Sequence, residues 1–162
     1  MSLTEQERVA VADALDQITR FVVRQMAGVR ELSFTAAATL SMVNTEGPCR
    51  ITDLAAREGV TQPSMTGLVS RLERQGYVRR RNDPSDGRIV LVAITEAGRA
   101  MVRRRQAARV AFLSSLIAEL DPLAQRAIAD AAPALRLLTE PDSLTEALAS
   151  ARRAADEDPG SV

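Results

Sequence analysis

The chain has 162 residues, of which 46% are apolar and only 2% aromatic, so its core must be built from Leu, Val, Ile, Ala and Met, a composition suited to packed helices in one domain, or in one domain with helical extensions. Its 21 basic residues, all of them Arg, balance 21 acidic ones, so net charge alone announces no nucleic-acid or membrane partner. One Cys and no His exclude a disulfide framework, a Cys/His zinc cluster and any His-dependent triad, leaving no evident cofactor, metal or catalytic residues. No basic leader precedes an apolar run, and no run of about 18 apolar residues occurs, so the expectation is a cytoplasmic chain with no membrane partner.

Thr4 and Glu7 form a T-x-x-E capping box ahead of a helix expected to run to about Gly28. Its apolar stripe is Val11, Leu15, Ile18, Val22, Met26 and Val29. A second helix spans about Thr35 to Asn44 and stops before the breaker pair Gly47-Pro48. Cys49 to Ile51 reads as a short extended link, where a small buried residue suffices at Cys49. Thr52 is the expected cap of a short helix ending at Glu58-Gly59. Thr61 caps the next, which enters through Pro63 and stops at Gly76.

Tyr77 to Arg81 and Ile89 to Ile94 are rich in strand formers and are joined by the turn residues Asn-Asp-Pro-Ser-Asp-Gly. Thr95 opens a long helix whose deep positions are expected to be Met101, Val102, Phe112, Leu113, Leu116, Ile117 and Leu120. Asp121-Pro122 starts another, with Leu123, Ala127, Ala131, Leu135 and Leu138 on one side and a kink expected at Pro133. A last short helix over 143–153 and a disordered acidic tail over 155–162 complete the reading.

Charge is segregated along this order. Residues 50–109 carry 13 Arg against 6 acids, a net of +7, whereas residues 1–49 net −2 and residues 110–162 net −5. The basic segment is the helix, turn, helix and hairpin, the layout of a winged helix-turn-helix, so the charge has the form of an electrostatic footprint for nucleic acid. In the second of these helices, Met65, Leu68, Val69 and Leu72 repeat at three- and four-residue steps and should face the core. The opposite face shows Gln62, Ser64, Thr66, Gly67, Ser70, Arg71 and Arg74. Hydroxyl side chains can meet phosphates or base edges, Gln can read adenine, Arg can read guanine, and Gly lets the backbone approach closely. On the hairpin, Arg80 and Arg81 are placed to hold phosphates, and Arg88 near the tip is placed to enter a narrow minor groove. Asp86 is placed to orient a guanidinium, that of Arg88 or of Arg80, as a wing ion pair.

These motifs resemble the MarR (multiple antibiotic resistance type) family of bacterial regulators. The family pattern of G-L-hydrophobic-x-R, then D-x-R, then an apolar strand ending L-T-x-x-G appears here as Gly76-Tyr77-Val78-Arg79-Arg80, Asp86-Gly87-Arg88 and Ile94-Thr95-Glu96-Ala97-Gly98. Tyr77 and Ile94 each stand where a Leu is usual. The resemblance implies a homodimer with interlocked terminal helices, a recognition helix over Gln62–Gln75, a wing-tip contact at Arg88 and a wing ion pair through Asp86. It also implies a repressor of a pseudo-palindromic double-stranded DNA operator, released by small lipophilic or phenolic effectors or by oxidants; no residues are assigned to the effector. The peroxide-sensing Cys of some members, near the start of the first helix, has no counterpart over Ala10 to Leu15.

The expected fold is therefore mainly α with a small β-wing. Residues 1–32 form an N-terminal dimerisation helix, 33–98 the winged helix-turn-helix lobe, and 99–154 the C-terminal dimerisation helices. The apolar stripes of the terminal helices exceed what the small central lobe can cover, so a second copy of the chain is the expected partner. The alternative function is a winged-helix protein-interaction module, which requires exposed apolar residues on the second helix of the pair.

Overall fold

The computed structural model describes residues 2–26 and 32–139. Within them the order is α1 (Glu5–Met26), α2 (Phe34–Glu46), β1 (Cys49–Arg50), α3 (Ile51–Arg57), α4 (Gln62–Arg74), β2 (Val78–Asn82), β3 (Val90–Ile94), α5 (Glu96–Ala118) and α6 (Pro122–Leu137). The three strands form one antiparallel sheet in the order β1-β3-β2. The fold is thus mainly helical with a small β-wing. The expected last helix over 143–153 and the tail over 155–162 lie outside the described residues, as does the end expected for the first helix at Gly28.

Local signals set most boundaries. Thr4 and Glu7 close their capping box: the Thr4 N–H donates to Glu7 Oε2 at 2.7 Å and the Glu7 N–H to Thr4 Oγ1 at 3.3 Å. α2 starts one residue earlier than expected, capped by Ser33, whose Oγ accepts the Ala36 N–H at 3.2 Å. α3 also departs from expectation, because Thr52 does not cap it. Arg50 is the N-cap and supplies no side-chain bond, while the Thr52 hydroxyl donates to Asp53 Oδ1 at 3.3 Å. Cys49 and Arg50 are held in the sheet opposite Val92 and Leu91, so the chain passes from strand to helix with no intervening residue for a cap. α6 runs through Pro133 to Leu137.

α3 and α4 end alike. Beyond α3, Gly59 (φ 63°) donates its N–H to the Ala56 carbonyl and Val60 donates to Ala55. Beyond α4, Gly76 (φ 77°) donates to Glu73 and Tyr77 to Leu72. Both are Schellman closures, which need a left-handed residue and therefore favour Gly. The first turns the chain toward the Thr61 cap of α4; the second turns it out of α4 into β2.

The described chain falls into two compact units, one through Ala111 and one from Phe112 onward. The core of the first joins Leu40 and Val43 of α2, Leu54 of α3, Met65, Leu68, Val69 and Leu72 of α4, Val78 and Val92 of the sheet, and Met101 of α5. Each large side chain fully removed from water here contributes about 1.5–3 kcal/mol. Two distant motifs meet at its edge. The Thr95 hydroxyl donates to the Gly76 carbonyl at 2.6 Å and accepts the Gly98 N–H at 3.1 Å, capping α5. A Cβ on Gly98 would collide with the Tyr77 carbonyl oxygen, so the T-x-x-G spacing is a close-packing requirement of α5 against the turn after α4.

In the second unit, the Asp121 carboxylate accepts the Leu123 and Ala124 N–H groups at 2.9 and 3.0 Å, and Pro122 occupies the first turn of α6. No residue of α6 is buried, and Leu123, Ile128, Leu135 and Leu138 are all exposed. Several positions expected to be deep are likewise open: Leu116, Ile117 and Leu120 after the middle of α5, and Val11 and Ile18 on α1. The apolar periodicity is present, but the described residues of one copy leave these positions open. Among the described residues, no helix is long and apolar enough to cross a membrane.

Candidate nucleic-acid interface

α4 presents the two faces its periodicity implies. Met65, Leu68, Val69 and Leu72 are buried, while Gln62, Ser64, Thr66, Gly67, Arg71 and Arg74 are exposed. Thr61 caps the helix, its Oγ1 accepting the Ser64 N–H at 3.4 Å and lying 2.9 Å from Ser64 Oγ. Thr66 Oγ1 donates to the Gln62 carbonyl at 2.9 Å. Both hydroxyls keep acceptor capacity toward solvent. Gly67 has ordinary helical geometry, and a Cβ there would meet nothing within 4 Å. Gly at a helix interior costs about 0.5–1 kcal/mol relative to Ala, so the fold itself gives no reason for it.

The three consecutive arginines of β2 divide between the two sides of the sheet. Arg79 and Arg81 are exposed, and Arg80 is half-buried. The Arg80 backbone N–H donates to Glu73 Oε1 at 2.9 Å, its Nη2 donates to Ser70 Oγ at 2.9 Å, and its Nη1 ion-pairs with Glu73 Oε2. This departs from the expected roles of Arg80 and Ser70. Arg80 is turned onto α4, Ser70 is occupied by Arg80, and neither is left open as Arg71, Arg74 and Arg81 are. The physical reason is strand alternation: the residue between two outward side chains points the other way, here toward the last turns of α4.

The wing turn is stitched by its own carboxylates. Asp83 Oδ1 accepts the Ser85 N–H and hydroxyl at 2.8 and 2.6 Å, and the Ser85 bonds, the side-chain one foremost, hold the Asp83 carboxyl below its ordinary range. Asp86 Oδ1 accepts the Arg88 backbone N–H at 3.0 Å. The expected wing ion pair of Asp86 with Arg80 or Arg88 is therefore not formed. Asp bonding the N–H two residues onward is the local preference of an Asx turn, and Arg80 is engaged by Glu73. The Arg88 side chain is exposed and makes no ion pair with any described residue.

Glu73 is the residue the sequence reading missed. It is the only acid in α4 and lies in its last turn, where the helix dipole disfavours negative charge. That misfit is a legible signal that the carboxylate has a partner. Cys49 is half-buried, its Sγ donating to the Gly47 carbonyl at 3.2 Å, and burial, aided by Glu46, raises its pKa. A thiol so held is poorly disposed to ionise and react. Among the described residues no cluster of His, Cys, Asp or Glu could hold a metal.

The basic hairpin beside an exposed polar second helix defines a winged helix-turn-helix protein. Residues 32–90 match the sequence model of the MarR family. An HTH-type transcriptional regulator of Mycobacterium bovis is 36% identical over 90 residues, 56% of this chain and 63% of that protein, so the match spans less than two thirds of the relative. The homoprotocatechuate degradative operon repressor of Escherichia coli is 39% identical over 54 residues, 33% of this chain and 36% of the repressor. Among solved structures, a transcriptional regulator of Thermotoga maritima superposes with a TM-score of 0.70 at 25% identity, covering 85% of this chain and 97% of that one.

Proposed function

We propose that the chain is a homodimeric transcriptional repressor that binds a pseudo-palindromic DNA operator and is released by a small lipophilic or phenolic effector. The observation that carries the DNA-binding reading is the exposed face of α4, polar and arginine-bearing with Gly67 at its centre, next to a wing whose Arg88 is unpaired among the described residues. Gln62, Ser64, Thr66, Gly67 and Arg71 meet the major groove, Arg74 and Arg81 meet phosphates, and Arg88 reaches the minor groove. The exposed positions of α4 carry none of the large apolar side chains that a protein-interaction module would need there.

The dimer reading is supported by the exposed apolar residues of α1, late α5 and α6. Two recognition helices related by a two-fold axis fit half-sites one DNA turn apart. The repressor and effector readings draw on the Escherichia coli relative, named for repressing an operon that degrades a phenolic acid.

The test is an anisotropy titration of the purified protein against DNA upstream of its own gene, with a scrambled competitor, at two salt concentrations. The expected result is specific binding that weakens steeply with salt through counterion release. Binding indifferent to scrambling, here and across a genome-wide selection of fragments, overturns the reading. Arg88→Ala is expected to weaken operator binding by roughly tenfold while leaving fold and dimer intact; unchanged affinity at matched salt removes Arg88 from the interface.

A further inference from the structure

We infer that Glu73 is the positioning residue of the wing, and that Arg80 is a strut between wing and recognition helix rather than a phosphate contact. The inference rests on the DNA-binding reading only for its functional consequence. β2 is an edge strand of the sheet, so its outward N–H groups lack strand partners. Glu73 takes one of them, the Arg80 N–H, with one carboxylate oxygen and the Arg80 guanidinium with the other. Ser70, one turn back on α4, takes the second guanidinium nitrogen. One side chain of α4 thus closes the sheet edge and the charge together, and a second fixes the plane of the guanidinium.

The strut sits where the wing leaves the lobe. Arg80 pairs with Val92, which also faces Cys49 of β1; one position further, Arg81 and Arg50 flank Leu91. Beyond that point β1 gives no further pairing, and the hairpin continues toward Arg88 on its own two strands. The angle between the wing and α4 sets where Arg88 falls when α4 occupies a groove. Glu73 and Ser70 hold that angle by a cross-link from α4 to β2 one position before the pairing with β1 ends.

The two roles for Arg80 give opposite signs. If Arg80 contacts phosphate, Glu73→Gln frees a cation and removes a negative charge beside DNA, so binding tightens, and Arg80→Ala lowers the salt slope by about 0.9. If Arg80 is a strut, Glu73→Gln and Glu73→Ala weaken operator binding, by roughly tenfold for the loss of a charge-assisted bond. Arg80→Ala then weakens binding with the salt slope unchanged, Arg81→Ala lowers the slope, and Glu73→Ala adds nothing to Arg80→Ala.

A readout without DNA separates this inference from the DNA-binding reading. Amide hydrogen exchange over residues 78–90 of the free protein is expected to accelerate in Glu73→Gln and, except at the residue 80 amide, to return part of the way toward wild type in the swap Glu73→Arg/Arg80→Glu, which rebuilds the ion pair but not the acceptor for that N–H. Unchanged wing exchange in Glu73→Gln, or tighter operator binding by it, overturns the strut. A wild-type chain that binds no operator overturns the proposed function and leaves the exchange result to decide the strut alone.

Discussion

Gly67 and Gly98 are both helical glycines, yet they answer to different constraints. At Gly98 the space for a Cβ is already filled by the Tyr77 carbonyl and the Ile94 side chain, so the residue serves the fold. At Gly67 the space is empty, so the fold does not require the glycine, and the proposed close approach of DNA to α4 would. The substitution Gly67→Ala is therefore expected to stabilise the protein by about 0.5–1 kcal/mol while weakening operator binding. Thermal or denaturant unfolding read beside a DNA titration checks it. A variant that is more stable and binds as tightly as wild type removes the close approach from the account. Cys49 follows the same logic in the other direction: burial and a bond to Gly47 explain it, with no chemistry required.

The two helices of the helix-turn-helix are each delimited by signals within a few residues, and the wing is attached by contacts across many. Thr61 and Gly76 bound α4, and the Schellman closure at Gly76 aims the chain into β2. The hairpin's direction is then set by Arg80 against Glu73 and Ser70. Three carboxylates reinforce element ends: Glu7 bonded to Thr4, Asp83 to Ser85, and Glu96 to Arg103 and Arg99, and each has a pKa below its ordinary value for that reason. A carboxylate whose folded pKa lies below its unfolded one adds stability above the unfolded value and loses it as pH falls through the folded value. All three lie at the surface, Asp83 partly covered, so the effect is small for each. The expected outcome is a melting temperature that declines as pH drops below about 4, with only the share due to Glu96, whose partners are arginines, weakened in 1 M salt. A profile flat through that window in low salt contradicts the assignment.

At the scale of the molecule, the notable feature is apolar surface left open among the described residues. Val11 and Ile18 of α1, Leu116 and Ile117 of α5, and Leu123, Ile128 and Leu135 of α6 are exposed at the spacing of buried helical faces. A second copy is the proposed cover. Ile18→Glu places a charge in that surface and is expected to shift sedimentation from dimer to monomer, with operator affinity falling by at least roughly tenfold as the two half-sites lose their linkage. A variant that sediments as the wild-type species excludes this part of α1 from the interface.

What the amino-acid sequence determined by itself is local or statistical along the chain. The capping box at Thr4 and Glu7, the Thr61 cap, the Gly59 and Gly76 stops, the apolar face of α4 and the concentration of Arg between residues 50 and 109 are all legible without coordinates, because each depends on neighbours within about four residues or on composition. The winged layout follows from their order. What only the tertiary structure decided is which polar groups are consumed internally. Three adjacent arginines look equivalent in sequence, but the alternation of β2 turns Arg80 inward to residues seven and ten positions away and leaves Arg79 and Arg81 outside. Asp86 satisfies its own turn rather than a distant guanidinium, and Arg50 replaces Thr52 at the head of α3 because β1 pairs with β3 up to that residue. Partner choice among charged side chains depends on the direction each takes in space, and that is set by packing rather than by spacing along the chain.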